Sequence, residues 1–272
     1  MNWLEYTIIW ISGGFHNNII RYYMILVKSH KCSIDKMQKD YPDAVIIDVT
    51  SHAKDEFIRL SPFYPLGGIP VPFSPGWSAS CVESIWQGLK DYESVGTDTK
   101  LFTNTSMKNL KRTTRRFGRL KGHRKGVGSK ELLNYVEARK LLYLPTYKWV
   151  LEDKVSREVN RIRELSSQQT VILLDYATNP NVEDASSPLS HAALIKAYIE
   201  GTYPSFDVPG LPTPEAVTDT GENFSFMPGQ RVKHPRFGEG TITFIEGERV
   251  KVAFDTDGEK LLAIRYAKLQ CV

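Results

Sequence analysis

Gly201 to Phe226 carries prolines at 204, 209, 212 and 214 and no recurring apolar spacing. Each proline fixes φ and lacks the N–H that a helix interior or a central strand needs, so the stretch reads as a semi-extended linker. It divides the chain into a large region, residues 24–200, and a small one, residues 227–272. The 272 residues are enough for one large domain and a small one, and 41% hydrophobic with 24% charged residues is the balance of an ordinary globular protein. Ahead of both lies MNWLEYTIIWISGGFHNNIIRYY, whose apolar run from Tyr6 to Ile11 has no basic flank before it and is too short to span a bilayer. Residues 1–23 are expected to be a dispensable extension, and no membrane partner is expected. The three cysteines, Cys32, Cys81 and Cys271, form no CxxC pair, which argues against a zinc site or a disulfide framework and for a reducing, cytoplasmic setting. The six histidines show no HxxxH spacing, so no metal or redox cofactor is expected.

Within the large region, Met24–Lys28, Ala44–Val49 and Thr170–Asp175 are apolar, β-branched runs that read as buried strands. Ser33–Tyr41 reads as a short helix with a serine cap, and Thr146–Leu165, with Val155, Val159 and Ile162 on one face, as a core helix. Ser190 caps a helix expected over Ala192–Glu200, with His191 at its start. The expected fold is α+β or α/β, helix-rich around a small sheet. The small region alternates: Thr241–Glu246, Arg249–Asp255 and Glu259–Ile264 read as strands, with turns at Gly247-Glu248 and Asp257-Gly258. A small all-β, SH3-like or Tudor-like barrel is expected there.

Leu60–Lys90 is the stretch richest in function signals. Phe63 and Tyr64 stand between Pro62 and Pro65, and further prolines and glycines shape the loop that follows. A rigid loop that holds aromatic rings outside regular structure suits a binding site. Ser80 then caps a helix with Glu83 three residues on, a capping-box pattern, and Val82, Ile85, Trp86 and Leu89 form its apolar face. Glu83, Gln87 and Lys90 lie along a second stripe, an acid, an amide and a base on one flank. A capping glutamate needs no chemistry, and both readings of Glu83 stay open at this point.

Met107–Lys130 is strongly basic, with ten cations from Lys108 to Lys130 and no Asp or Glu. Its first part is expected to be helical. GRLKGHRKGVG then reads as a glycine-broken loop, whose backbone can approach a ligand closely while Arg119 and Arg124 contact phosphate. His123 sits among cations that favour its neutral form, leaving it as a hydrogen-bond partner. A phosphate or pyrophosphate site is the preferred reading and a DNA-backbone contact the second. Lys130–Leu144 is expected to be a helix stopped by Pro145, with Arg139 in the middle of its apolar stripe. Such an arginine bridges a carboxylate or meets an anionic ligand. Asp175, Asn179 and His191 follow a buried strand, where polar residues line sites in α/β folds.

The pattern LSPFYP followed by CVESIWQGLK resembles the opening motif of the NADAR family, in which LSNFYP precedes a VEHxYQAxK helix. Phe63, Tyr64, Val82, Glu83, Gln87 and Lys90 match it, while Pro62 and Ser84 replace the family's asparagine and histidine. Gly118 and Arg119 are similar to the Gly-Arg that follows the central helix in that family. The resemblance implies a glycosidase acting on N-glycosidic bonds of nucleotide-like substrates, such as ADP-ribose attached to nucleic acid. On that reading Glu83 serves the sugar, Phe63, Tyr64 and Trp86 hold a flat base, and Lys90, Arg119 and Arg124 hold phosphates. VKHPRFGEGTI with VAFDTDGEKLL and YAKL resembles the carboxy-terminal Tudor-like domain of UvrD/PcrA-type DNA helicases. That implies a docking module for a transcription or repair protein, with His234, Arg236 and Phe237 as contacts. The alternative is a non-catalytic nucleotide- or nucleic-acid-binding adaptor on the same fold.

Overall fold

The computed structural model describes residues 24–206, 208, 211, 228–235, 237–246, 249–263 and 269–271. The chain divides into two compact units, Met1–Pro214 and Glu215–Val272. Residues 1–23 and most of the proline-rich stretch lie outside the described residues.

The first unit is built on three parallel strands. Strand β1 (Ile25–Ser29) leads through helix α1 (Ile34–Asp40), capped by the Ser33 hydroxyl, to strand β2 (Val45–Asp48). Strand β8 (Val171–Asp175) inserts between them, parallel to both. All five β8 residues are buried because both faces of the sheet are covered. Val171 and Leu173 enter the main core, whereas Ile172 and Leu174 pack with Met37 of α1. Between β2 and β8 come a short hairpin, β3 (Ile69–Pro70) with β4 (Ser78–Ala79), helix α2 (Val82–Gly88) and a small antiparallel sheet. That sheet joins β5 (Lys90–Tyr92), β6 (Leu120–Arg124) and β7 (Leu132–Leu133), with the one-turn helix α3 (Thr114–Phe117) between β5 and β6. Strand β6 therefore takes residues 120–124 of the glycine-broken loop expected at 118–128. Two of the loop's glycines serve packing: a Cβ on Gly122 would stand 2.6 Å from the Leu133 carbonyl oxygen, and one on Gly126 (φ +89) 2.5 Å from that of Phe73.

Helix α4 (Tyr135–Ala138) starts at Asn134, whose side chain accepts from two backbone N–H groups, and runs into a π-helical turn, Arg139–Tyr143. Helix α5 (Leu144–Asp153) continues from it with Pro145 in its first turn. The expected stop at Pro145 does not occur. The wider i→i−5 register, marked by Leu144 N–H donating to Arg139 O, absorbs the missing proline N–H. Thr146 Oγ1 also donates to Leu142 O at 2.6 Å. The single helix expected over Thr146–Leu165 is instead α5 and α6 (Ser156–Ser166), with Val155, Val159 and Ile162 buried as expected. Helix α7 (His191–Ile199), capped by Ser190, closes the unit.

The second unit is a five-stranded antiparallel sheet of β9 (Arg231–His234), β10 (Gly238–Glu246), β11 (Arg249–Phe254), β12 (Gly258–Ala263) and β13 (Gln270–Cys271). Their order is β12-β11-β10-β9-β13, so β12 and β13 are its edges, and no closed barrel forms among the described residues. Val232, Ile242, Val250, Val252, Phe254 and Leu269 make its core.

Candidate functional site

Helix α2 is buried on every side, all seven of its residues included, which makes it the inner wall of whatever lies beside it. Its cap is Cys81, not Ser80. The Cys81 sulfur accepts from Ser84 N–H at 3.3 Å, and Ser84 Oγ accepts from Cys81 N–H at 3.3 Å. Ser80 instead donates to Asn104 O at 2.5 Å. With Ser84 closing the cap, the Glu83 carboxylate is left to other work.

That carboxylate opens into a cleft of about 780 Å³ at the carboxyl ends of β2 and β8. Its walls come from α2 (Glu83, Trp86, Gln87), the α4–α5 segment (Tyr135, Arg139, Tyr143), the loop at Ser61–Phe63, and the chain that follows β8. Glu83 is 9% exposed, and its Oε1 accepts from Gln87 Nε2 at 2.8 Å. Gln87 is itself fixed, because its Oε1 accepts from Arg112 N–H at 2.9 Å. Burial raises the Glu83 carboxyl above its ordinary range, against the pull of Gln87, Lys90, Lys111 and His191. Burial likewise lowers Lys90.

Asp175 and His191 form a second charged pair in the wall, 3.0 Å apart. His191 Nε2 stands 2.8 Å from Val49 O, so both ring nitrogens face acceptors and the imidazolium is the form that satisfies both. Burial opposes that charge, but Asp175 outweighs it and raises His191 above 6.5. Asp175, despite its burial, is held down at about 2 by His191, Ser190 and the Ala192 N–H.

Arg139 is 2% exposed and meets neither a carboxylate nor an open anion site. Its guanidinium donates to the carbonyls of Val182, Asp184 and Ser187 and lies over the Tyr135 ring. Asn179 Nδ2 donates to two of the same carbonyls, at Asp184 and Ser187. Both residues shape the loop that forms the cleft rim, and their donors are spent there.

Eight of the residues expected at a site thus meet in the cleft: Phe63, Glu83, Trp86, Gln87, Arg139, Asp175, Asn179 and His191. Six do not line it. Tyr64 packs under Arg59, 5.8 Å from its guanidinium, and Lys90 lies partly buried on β5. Gly118 ends α3 at φ 75, and the exposed Arg119 has its carbonyl on Glu93 N–H. Strand alternation in β6 turns His123 against Trp86, with ring centroids 4.0 Å apart, and Arg124 onto Asp91. His123 is neutral, pushed to about 3 by burial first and Lys90 second, and neither ring nitrogen has a hydrogen-bond partner among the described residues. The cleft also contains Lys111, over the Phe63 ring at 5.5 Å. Part of the basic segment is taken up by the fold: Arg112 holds the Lys90 and Gly96 carbonyls, and Arg124 and Lys125 pair with Asp91 and Glu131, while Lys108, Lys111, Arg115, Arg116, Arg119, Lys121 and Lys130 are exposed.

Tyr135 and Tyr143 were hidden from sequence reasoning, although the series Tyr135, Arg139, Tyr143, Tyr147 repeats every fourth residue. In a straight α-helix that stride drifts by about 40° a step and leaves one face. The π turn keeps Tyr135, Arg139 and Tyr143 together on the cleft.

In the second unit, His234 and Phe237 stack with centroids 4.5 Å apart, and Phe237 lies 5.4 Å from Phe254. Phe237 belongs to the edge of the sheet's core, and Arg236 lies outside the described residues. Among the described residues no helix is long and apolar enough to cross a membrane.

A 64-residue stretch is 48% identical to DNA helicase II of Salmonella typhimurium and 44% identical to DNA helicase II of Escherichia coli. It covers 22% of this chain, and the chain spans only 8% of the length of either helicase. Residues 29–195, which include every residue of the cleft, match the model of the family of unknown function DUF6939, and the chain belongs to that family.

Proposed function

We propose that the cleft hydrolyses an N-glycosidic bond between a ribose and a ring nitrogen in a nucleotide-like substrate, ADP-ribose attached to nucleic acid foremost. The observation that carries this is Glu83: a carboxylate 9% exposed, oriented by Gln87, at the base of a cleft walled by Trp86, Tyr135 and Tyr143. Breaking such a bond builds positive charge on the sugar, and a partly desolvated carboxylate both stabilises that charge and takes a proton from the attacking water. The aromatic walls suit a flat base. Lys111 at Phe63 supplies the positive charge that a phosphate needs, in place of Lys90, Arg119 and Arg124. The NADAR-like pattern around Glu83 points the same way. The likeness of the 64-residue stretch to DNA helicase II supports a recruiting role for the second unit, beside DNA and its repair or transcription machinery.

A second reading, a nucleotide-binding adaptor without turnover, rests on Ser84. It stands where the NADAR pattern has a histidine, is fully buried and is spent on the helix cap. The two readings separate in one experiment. Purified protein and its Glu83→Gln variant are incubated with ADP-ribosylated DNA, free ADP-ribose derivatives and ribosylated pyrimidines, and products are followed by mass spectrometry. The glycosidase reading expects release by the native protein, a loss of at least about 100-fold in the variant, and unchanged ligand affinity. Tight nucleotide binding with no release from any substrate is the adaptor's result.

A further inference from the structure

Most polar groups in the cleft wall are already committed to the protein. Gln87 bridges Glu83 and Arg112 N–H, Arg139 and Asn179 bind loop carbonyls, and His191 spans Asp175 and Val49. Two deep-set groups keep unused capacity. Glu83 engages one carboxylate oxygen, through Gln87, and the other has no partner among the described residues. The Tyr143 hydroxyl has no hydrogen-bond partner among them either, although the rest of the side chain is tightly held. Its ring stacks on Tyr147 at 6.0 Å and meets Trp86 edge-on at 5.7 Å, one turn of α2 from Glu83.

The backbone adds an independent sign. Tyr143 closes the π-helical turn, a local register change that costs regular hydrogen bonding and recurs at functional sites. Here the turn keeps Tyr143 on the cleft face. A phenol held rigidly by its ring, with an idle hydroxyl in the same cleft as an idle carboxylate oxygen, is a preorganised donor awaiting an acceptor.

We propose that Tyr143 is a catalytic residue that donates a hydrogen bond to the departing ring of the substrate, an N-glycoside whose leaving group carries a carbonyl oxygen or ring nitrogen. This rests on the glycosidase reading above. In the step, water oxygen bonds to C1′ and the C1′–N bond breaks with its electron pair passing to the ring nitrogen. One water proton passes to the carboxylate of Glu83 and then to that nitrogen. Tyr143 transfers no proton. It stabilises the negative charge that gathers on the departing ring, and the Trp86 face sets the plane of that ring.

The test is Tyr143→Phe in the full chain, assayed on ADP-ribosylated DNA beside the native protein, with urea unfolding of both. No hydrogen bond among the described residues is removed, so the unfolding midpoint is expected to stay the same. The proposal expects kcat to fall about 100-fold with KM within about threefold, the scale of losing one preorganised donor. Equal kcat in the two proteins would overturn the role of Tyr143 and leave the glycosidase reading standing. A large loss of stability would also overturn it, by giving the hydroxyl a structural partner. If the native protein itself releases nothing, the glycosidase reading fails, and this proposal with it.

Discussion

Glu83 owes its setting to its immediate neighbours. Cys81 and Ser84 cap the helix between them, Gln87 one turn on fixes one carboxylate oxygen, and burial raises the affinity for a proton. On the proposed function, that setting places the acid to gain and lose a proton within one turnover. The other charged pair of the cleft is structural, and its pH signature is predictable. Asp175, depressed to about 2 from 3.8, contributes stability that is present above 3.8 and is lost as pH falls toward 2. His191, raised above 6.5, contributes stability that is present below 6.5 and is lost as pH rises through its higher folded value. Stability by urea unfolding from pH 2 to 9 should therefore show an acid limb of about 2 kcal/mol below about 4, and a decline on the alkaline side to which both raised groups contribute, Glu83 above 4.5 and His191 above 6.5. Asp175→Asn should remove the acid limb. A limb that persists unchanged in the variant would contradict the pairing.

At the scale of elements, the segment from Tyr135 to Asp153 does most to make the cleft. Its π turn aligns Arg139 with the rim loop, and three carbonyls of that loop converge on the one guanidinium. Arg139→Met keeps the bulk but leaves those carbonyls without their donor. It should cost roughly 3 kcal/mol by urea unfolding and loosen the 176–190 rim toward proteolysis. Stability within about 0.5 kcal/mol of native would refute the staple. This is also where sequence reading stops short. Strands β1, β2 and β8 and helices α1 and α7 were legible because their signals are local: β-branched runs and serine caps at Ser33 and Ser190. Pro145 misled because a proline stops a helix only in regular register, and a π turn admits it. Residues 120–124 read as loop because their strand pairing is with residues far off in the chain, such as His123 with Lys90. Glu83, Trp86, Gln87 and His191 were found by residue type and position. Tyr143 was not, because nothing local distinguishes an idle hydroxyl from a core one.

Across the whole molecule, two units with separate cores carry two separate signals: a DUF6939 match over the cleft unit and a stretch like DNA helicase II. The residues that line the cleft lie between Thr50 and His191 and their supports, from strand β1 to helix α7, lie in the first unit, so a chain ending at Pro214 should fold and, on the proposed function, turn over free nucleotide-like substrates as the full chain does. A truncated chain that fails to fold, by circular dichroism, would contradict that independence. On the proposed function, water is added to the sugar side of an N-glycosidic bond beside Glu83. The measurement that tests it most directly is turnover of ADP-ribosylated DNA in water enriched in heavy oxygen, with both products weighed by mass spectrometry. One heavy oxygen on the sugar product, none on the base, and no products with Glu83→Gln is the result predicted. Label on the base or a phosphate, or equal release by the variant, would contradict it.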